Sequence, residues 1–198
     1  MKGELKTLTI LTQYFFPEPG AAQIRLAMIA RELKKKGLRV NIITGMPNYP
    51  DGIIFKKYKN KFYKKENWEG SILKRIWLYP ASGRRAIARL ANYLSFSFFA
   101  LFPLLFSKKT DLVFVEAQPI TLAIPAYFNK LFKGTPYIYN TPDLQIEHAE
   151  EAGWVKSKSI ISFAKKIEEF LMKNALFVTV VTNSYKEHFV EERNISRD

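Results

Sequence analysis

The chain contains no cysteine, which excludes disulfides and all thiolate chemistry. Two histidines are too few for a dedicated transition-metal site, so no metal is expected. The first strand-to-helix loop has neither the G-x-G-x-x-G spacing of dinucleotide binders nor the G-K-S/T of a phosphate loop, so no cofactor is read from it. Acidic residues are scarce: 18 Asp and Glu against 31 Lys and Arg leave a formal charge of +13. A field of that sign concentrates anionic partners, whether nucleic acid, acidic lipid or phosphorylated substrates. Phe and Tyr gather in apolar runs and do not alternate with Lys and Arg as a base-stacking platform would, so nucleic acid is not an expected partner. No internal repeat, low-complexity tract or interdomain linker is seen along these residues, and no secretory leader is expected. The expectation is one cytoplasmic domain, 1–198.

What is present alternates between two periods. Thr7 to Thr12 is a β-rich run that ends in the cluster Pro17-Glu-Pro-Gly20. A helical stretch follows with Leu26, Ile29, Ala30 and Leu33 on one face and Gly37 as its stop,. With the strand Arg39 to Thr44 this makes a β-α-β unit, whose right-handed crossover sets the two strands parallel. Glu69-Gly70 closes a hairpin between a lysine-rich, aromatic stretch and the strand Ser71 to Leu78,. Arg84 to Phe106 reads as a helix, apolar almost all round after Tyr93. Strands at Asp111–Glu116, Pro136–Asn140 and Leu176–Val181 enclose helices at Leu122–Phe132 and Ser159–Lys173, the latter with Ile160, Phe163, Ala164, Ile167 and Leu171 on one face. Ser184 with Glu187 forms a capping box that starts a last short helix,. These elements predict an α/β fold: a Rossmann-like, doubly wound, mostly parallel sheet with a β-hairpin insertion.

Ligands of such sheets sit outside the carboxyl ends of the strands. There, Gly20 and Ala21 at a helix start offer backbone amides and small side chains to a phosphate or sugar hydroxyl. The same residues also suit a plain tight turn. Asn48 and Tyr49, after the second strand, and Glu116 and Gln118, after the strand that begins at Asp111, are further binding candidates on this rim. His148, among Glu147, Glu150 and Glu151, reads as a surface residue, and His188 as solvent-exposed.

The run QYFFPEPGAAQIR from Gln13 to Arg25 resembles the opening of family 4 glycosyltransferases of the GT-B fold, and is most similar to bacterial enzymes that extend lipid-linked sugars for surface polysaccharide. GMPNYPDG from Gly45, RIWLYP from Arg75, LANYLSF from Leu90 and DLVFVEAQPITLAIPAY from Asp111 agree in order. The resemblance implies one half of a retaining, metal-independent GT-B enzyme, the acceptor-binding domain, with a nucleoside-diphosphate sugar as donor and a saccharide or lipid-pyrophosphate-saccharide as acceptor. It implies that the C-terminal nucleotide-sugar domain is missing and that this part is inactive alone. It gives Arg25 a pyrophosphate to reach; without it, Arg25 belongs to the helix's polar face. It places Asp143 and Glu147 on the two acidic positions of a motif whose other positions differ here, with Pro142 for His or Gln and Gln145-Ile146 for Trp-Pro. A carboxylate there accepts the acceptor's proton or steadies an oxocarbenium-like sugar; alternatively, Asp143 caps the loop.

Leu90 to Phe106 is 17 residues, short for a bilayer span and interrupted by Asn92, Ser95, Ser97 and Pro103. One side is expected against the sheet. The rest, flanked by Arg84, Arg85, Arg89, Lys108 and Lys109, suits an anionic membrane surface, with Phe98, Phe99, Phe102 and Phe106 dipping in. Lys57 and Lys61, in the basic stretch Lys56 to Lys65, add attraction to acidic lipid. The expected location is peripheral to the inner face of the cell membrane. The competing reading is a non-catalytic membrane- or partner-binding module on the same basic, aromatic surface.

Overall fold

The computed structural model describes residues 4–82 and 86–196; Arg84 and Arg85 fall outside them. Along the chain come β1 (Thr7–Leu11), α1 (Ala21–Lys35), β2 (Arg39–Gly45), β3 (Tyr63–Trp68), β4 (Ser71–Ile76), α2 (Ala86–Phe106), β5 (Leu112–Glu116), α3 (Ala123–Lys133), β6 (Tyr137–Thr141), α4 (Gln145–Glu151), α5 (Lys158–Lys173), β7 (Phe177–Val180) and α6 (Asn183–Glu191). The strands form one sheet in the order β3-β4-β2-β1-β5-β6-β7. Every pair is parallel except β3 with β4. This is the expected Rossmann-like, doubly wound sheet.

The residues account for this order. β1 and β5 lie at the centre, covered on both faces, and their near-continuous apolar runs match that position,. β3 alternates exposed and half-buried residues at one edge, where its lysines discourage pairing with another chain,. Trp68 opposes Ser71, leaving the two-residue loop Glu69-Gly70 with φ of 49° and 81°; both central residues of a primed hairpin turn need positive φ. The hairpin is not a separate lobe, because β4 runs parallel to β2 inside the main sheet and only β3 extends it.

One face of the sheet packs on α1, through Leu26, Ala27 and Ala30 against Leu8, Ile10, Val40 and Ile42. The opposite face carries the larger core, in which Phe96, Ala100 and Leu104 of α2 meet Val113, Val115 and Tyr139. Spacing by four puts these three α2 residues, with Asn92, on one narrow stripe.

Three expectations need correcting. In α5 the buried residues are Ile161, Glu168, Leu171 and Met172, whereas Ile160 and Phe163 are exposed; the helix is rotated because Glu168 turns inward to a cation. The segment after β6, read as loop, holds the short helix α4. The last helix is capped not by Ser184 but by Thr182, whose Oγ1 accepts the Tyr185 N–H at 3.2 Å. Thr182→Ala is therefore expected to cost about 1 kcal/mol in urea denaturation, and Ser184→Ala less than about 0.5 kcal/mol.

Candidate active site at the reversal of strand order

Strand order reverses between β1 and β5, since the chain winds outward from β1 through β2 and β4, then returns to β5 on the other side. The loops leaving these two strands therefore diverge and open a crevice at the sheet's carboxyl edge. Gly20 enters it as the residue before α1, with φ 152° and ψ 159°. That φ is one that residues with a side chain rarely adopt, so the turn favours glycine,. α1 starts with no side-chain cap and no acidic residue in its first turn. Its positive end is thus not neutralised locally.

One turn into α1, Arg25 forms a short ion pair through Nη2 with Glu116 Oε1 at the end of β5. Glu116 is buried while Arg25 keeps 35% of its side chain in solvent. Asn140 Nδ2 donates to the other Glu116 oxygen at 2.6 Å, and Thr179 Oγ1 donates to Asn140 Oδ1 at 2.8 Å. Register explains the chain of contacts: Glu116 pairs with Asn140 and Asn140 with Thr179, so all three stand side by side on the α1 face. Burial raises the Glu116 carboxyl above the usual range, with Arg25 and Asn140 opposing,.

The crevice wall is tied together by a residue that sequence reasoning passed over. Glu18 is 1% exposed. Its Oε2 accepts the Phe15 N–H at 3.1 Å and its Oε1 accepts those of Asn48 and Tyr49 at 2.8 and 2.9 Å. Burial pushes its carboxyl up to about 7 against those donors. The only sequence signal was an acid held between two prolines. Gln13 and Asn92 were missed as well: Gln13 Nε2 donates to Asn92 Oδ1 at 2.5 Å, and Asn92 Nδ2 to the Tyr79 carbonyl at 2.6 Å, anchoring the start of α2 at the same edge.

The other expected residues divide. Asn48 is buried and its Nδ2 serves the Met46 carbonyl at 2.9 Å, so it builds the loop and presents no side chain to a ligand. Tyr49 is 42% exposed, its ring 5.6 Å from that of Tyr14. Gln118 is half-buried just past β5, its N–H donating to the Glu116 carbonyl at 2.8 Å. Asp143 stands after β6 on the crevice edge, 40% exposed, with Oδ1 2.8 Å from His148 Nδ1. Glu147 does not join it. Glu147 is mostly buried under Arg193 Nη2 at 2.6 Å, His188 Nε2 at 3.3 Å and Lys165 Nζ at 3.7 Å. Burial raises its carboxyl, but hydrogen bonds from Arg193, its own backbone N–H and His188, with the Arg193 charge, bring the net shift below the usual range. A carboxylate so saturated is a poor base. His188, expected in solvent, is 16% exposed between Glu147 and Glu192. Among the described residues no three His, Cys, Asp or Glu are grouped to hold a metal.

No protein-family profile matches the chain, and no curated protein matches it. Among solved structures it is similar to sucrose-phosphate synthase from Thermosynechococcus elongatus, with a TM-score of 0.62 and 12% identity over 98% of this chain and 46% of that one. The catalytic domain of starch synthase IV from Arabidopsis thaliana, bound to ADP and acarbose, is matched with a TM-score of 0.49 and 19% identity, over 72% of this chain and 35% of that one. The chain thus spans less than half the length of either protein. The first match identifies the architecture: this sheet and its helices share the fold of one half of a GT-B enzyme.

Proposed function

We propose that this chain is the acceptor-side half of a retaining, family 4 glycosyltransferase, which moves a sugar from a nucleoside-diphosphate sugar to a saccharide carried on a lipid pyrophosphate. The observation that carries the reading is the Arg25–Glu116 pair beside the uncapped start of α1, at the point where strand order reverses. Two sources of positive potential converge there, a helix end and a guanidinium, and both suit a phosphate. Glu116, held by Asn140, fixes the direction of Arg25, whose side chain stays partly in solvent. In this reading Asp143, on the same edge of the sheet with a partly solvated carboxylate, accepts the proton of an acceptor hydroxyl. Donor contacts fall to a second domain, and the shared cleft excludes water on closure. Transfer by this half alone is not expected.

Titration of the 15N-labelled chain with a water-soluble alkyl-pyrophosphate saccharide tests the reading. Amide shifts are expected at Gly20, Ala21 and Arg25. Arg25→Ala should weaken binding about tenfold or more, the worth of one charge-assisted hydrogen bond. Shifts confined to other surfaces, or unchanged affinity in the Arg25 variant, would exclude the site.

A further inference from the structure

The layer formed by α2, α3 and α5 has an inner face suited to a core and an outer face unlike that of a soluble protein. Phe106 is 82% exposed on α2, Phe132 72% on α3 and Phe163 65% on α5. Surface helices ordinarily turn polar residues outward, and an apolar face running across three neighbouring helices marks an interaction site. α2 is long and apolar enough to cross a bilayer by length and composition, with only 28% of that span buried. It does not cross one here. Phe96, Ala100 and Leu104 belong to the core, and Asn92 and Ser97 bond to Tyr79 and Thr121. Extraction from the sheet would expose all of these.

The aromatic contacts continue beyond the helices. Phe62, after the lysine-rich turn, lies 5.6 Å from Trp77, which lies 5.6 Å from Phe99. Phe99, expected to face outward, is thus half-buried against Trp77, while Phe98, Phe102 and Phe106 continue the line along the outside of α2. The exposed Lys57 and Lys61 flank the near end of this line in sequence. At the far end, Lys74 and Lys133 both bond to Ser107, through Oγ and the carbonyl. Burial, then Lys65 and Lys133 nearby, pull the Lys74 ammonium below the usual lysine range. Lys108 and Lys109 follow, both exposed. Neither α2 nor α3 contains an acidic residue, and between Glu69 and Asp143 the chain has only Asp111 and Glu116.

We infer that this outer face is a docking surface for an anionic lipid bilayer, with α2 lying in the interfacial plane, Phe98, Phe102 and Phe106 among the acyl chains, and the lysines at its borders on lipid phosphates. Charge selects the occupant. A second copy would set one +13 chain and its lysine clusters against another, whereas an acidic bilayer meets both the cations and the aromatics. The inference also orients the molecule. Asn92, near the start of α2, is bonded to Gln13 in the crevice wall, so the helix carries the crevice edge to the membrane surface.

Co-sedimentation with phosphatidylcholine vesicles, with and without phosphatidylglycerol, is the test. The lipids carry no saccharide, so the outcome is independent of the sugar-transfer reading. Binding at least about tenfold tighter to the anionic vesicles is expected, and a fraction of it should survive high salt because aromatics are inserted. The double variant Phe102→Asp/Phe106→Asp, at two exposed positions, should keep its circular dichroism and melting temperature yet lose about tenfold or more of its binding. Absence of binding to anionic vesicles, complete loss in high salt, or binding unaffected by the double variant would overturn the inference. So would light scattering showing a dimer that the double variant dissociates, because a second copy would then cover the face.

Discussion

Replacing Arg193 with Met will cost about 3–5 kcal/mol of folding stability, as measured by urea denaturation at neutral pH. The guanidinium is 3% exposed and is shared among three carboxylates: Glu147 at 2.6 Å, Glu168 at 3.3 Å and Glu169 at 3.6 Å. Tyr139 adds a hydroxyl to Glu168 at 3.3 Å. Removing the cation leaves buried negative charge with too few partners, which is far more costly than losing an exposed ion pair. Burial, opposed by Arg193 and assisted by Glu147, pushes the Glu168 carboxyl up to about 7. Below that pH the cluster holds one carboxylate fewer. The cost of the Arg193 variant should therefore be larger at pH 8 than at pH 5. A loss under about 1 kcal/mol at both values would show that solvent screens the cluster.

Glu18→Ala is expected to cost about 3 kcal/mol or more near pH 5, because the buried N–H groups of Phe15 and Asn48 and the part-buried one of Tyr49 lose their acceptor together, at about 1–3 kcal/mol for each buried one. The pH dependence has a definite sign. The Glu18 carboxyl titrates near 7 in the folded chain and near 4.5 when unfolded, so between those values the native state binds more protons. Its contribution is fully present below about pH 4.5 and is lost as pH rises through about 7. The difference between wild type and variant should shrink by about 2–3 kcal/mol from pH 4.5 to 8. A difference that widens instead would mean that the three amides hold Glu18 ionised.

These two residues show where reading along the chain stops. Glu18 acts on amides 30 and 31 positions away, and Arg193 on a carboxylate 46 positions away. Neither has a local pattern that announces its partner. Gln13 and Asn92, 79 positions apart, are the same case. Gly20 and Glu116 are candidates that topology singles out, at the start of a helix after a strand and at the carboxyl end of a strand, whereas Arg25 is singled out by the resemblance. Asp143 and Glu147 are paired by the resemblance, on the two acidic positions of one motif, but α4 turns the second toward Arg193. Their proximity in sequence carried no information about what each would face.

Helices and strands are set by neighbours two to four residues apart, so alternation, glycine stops and the winding order of a parallel sheet follow from the order of amino acids alone. Which side of an apolar helix enters the core is a competition among elements. α5 was misread because Glu168 has a buried cation waiting and so outcompetes Phe163 for the interior. On α2 the sheet accepts one stripe of a helix that is apolar almost everywhere. Burial is a property of the assembled layers, and only their packing decides which phenylalanines are covered and which stay exposed.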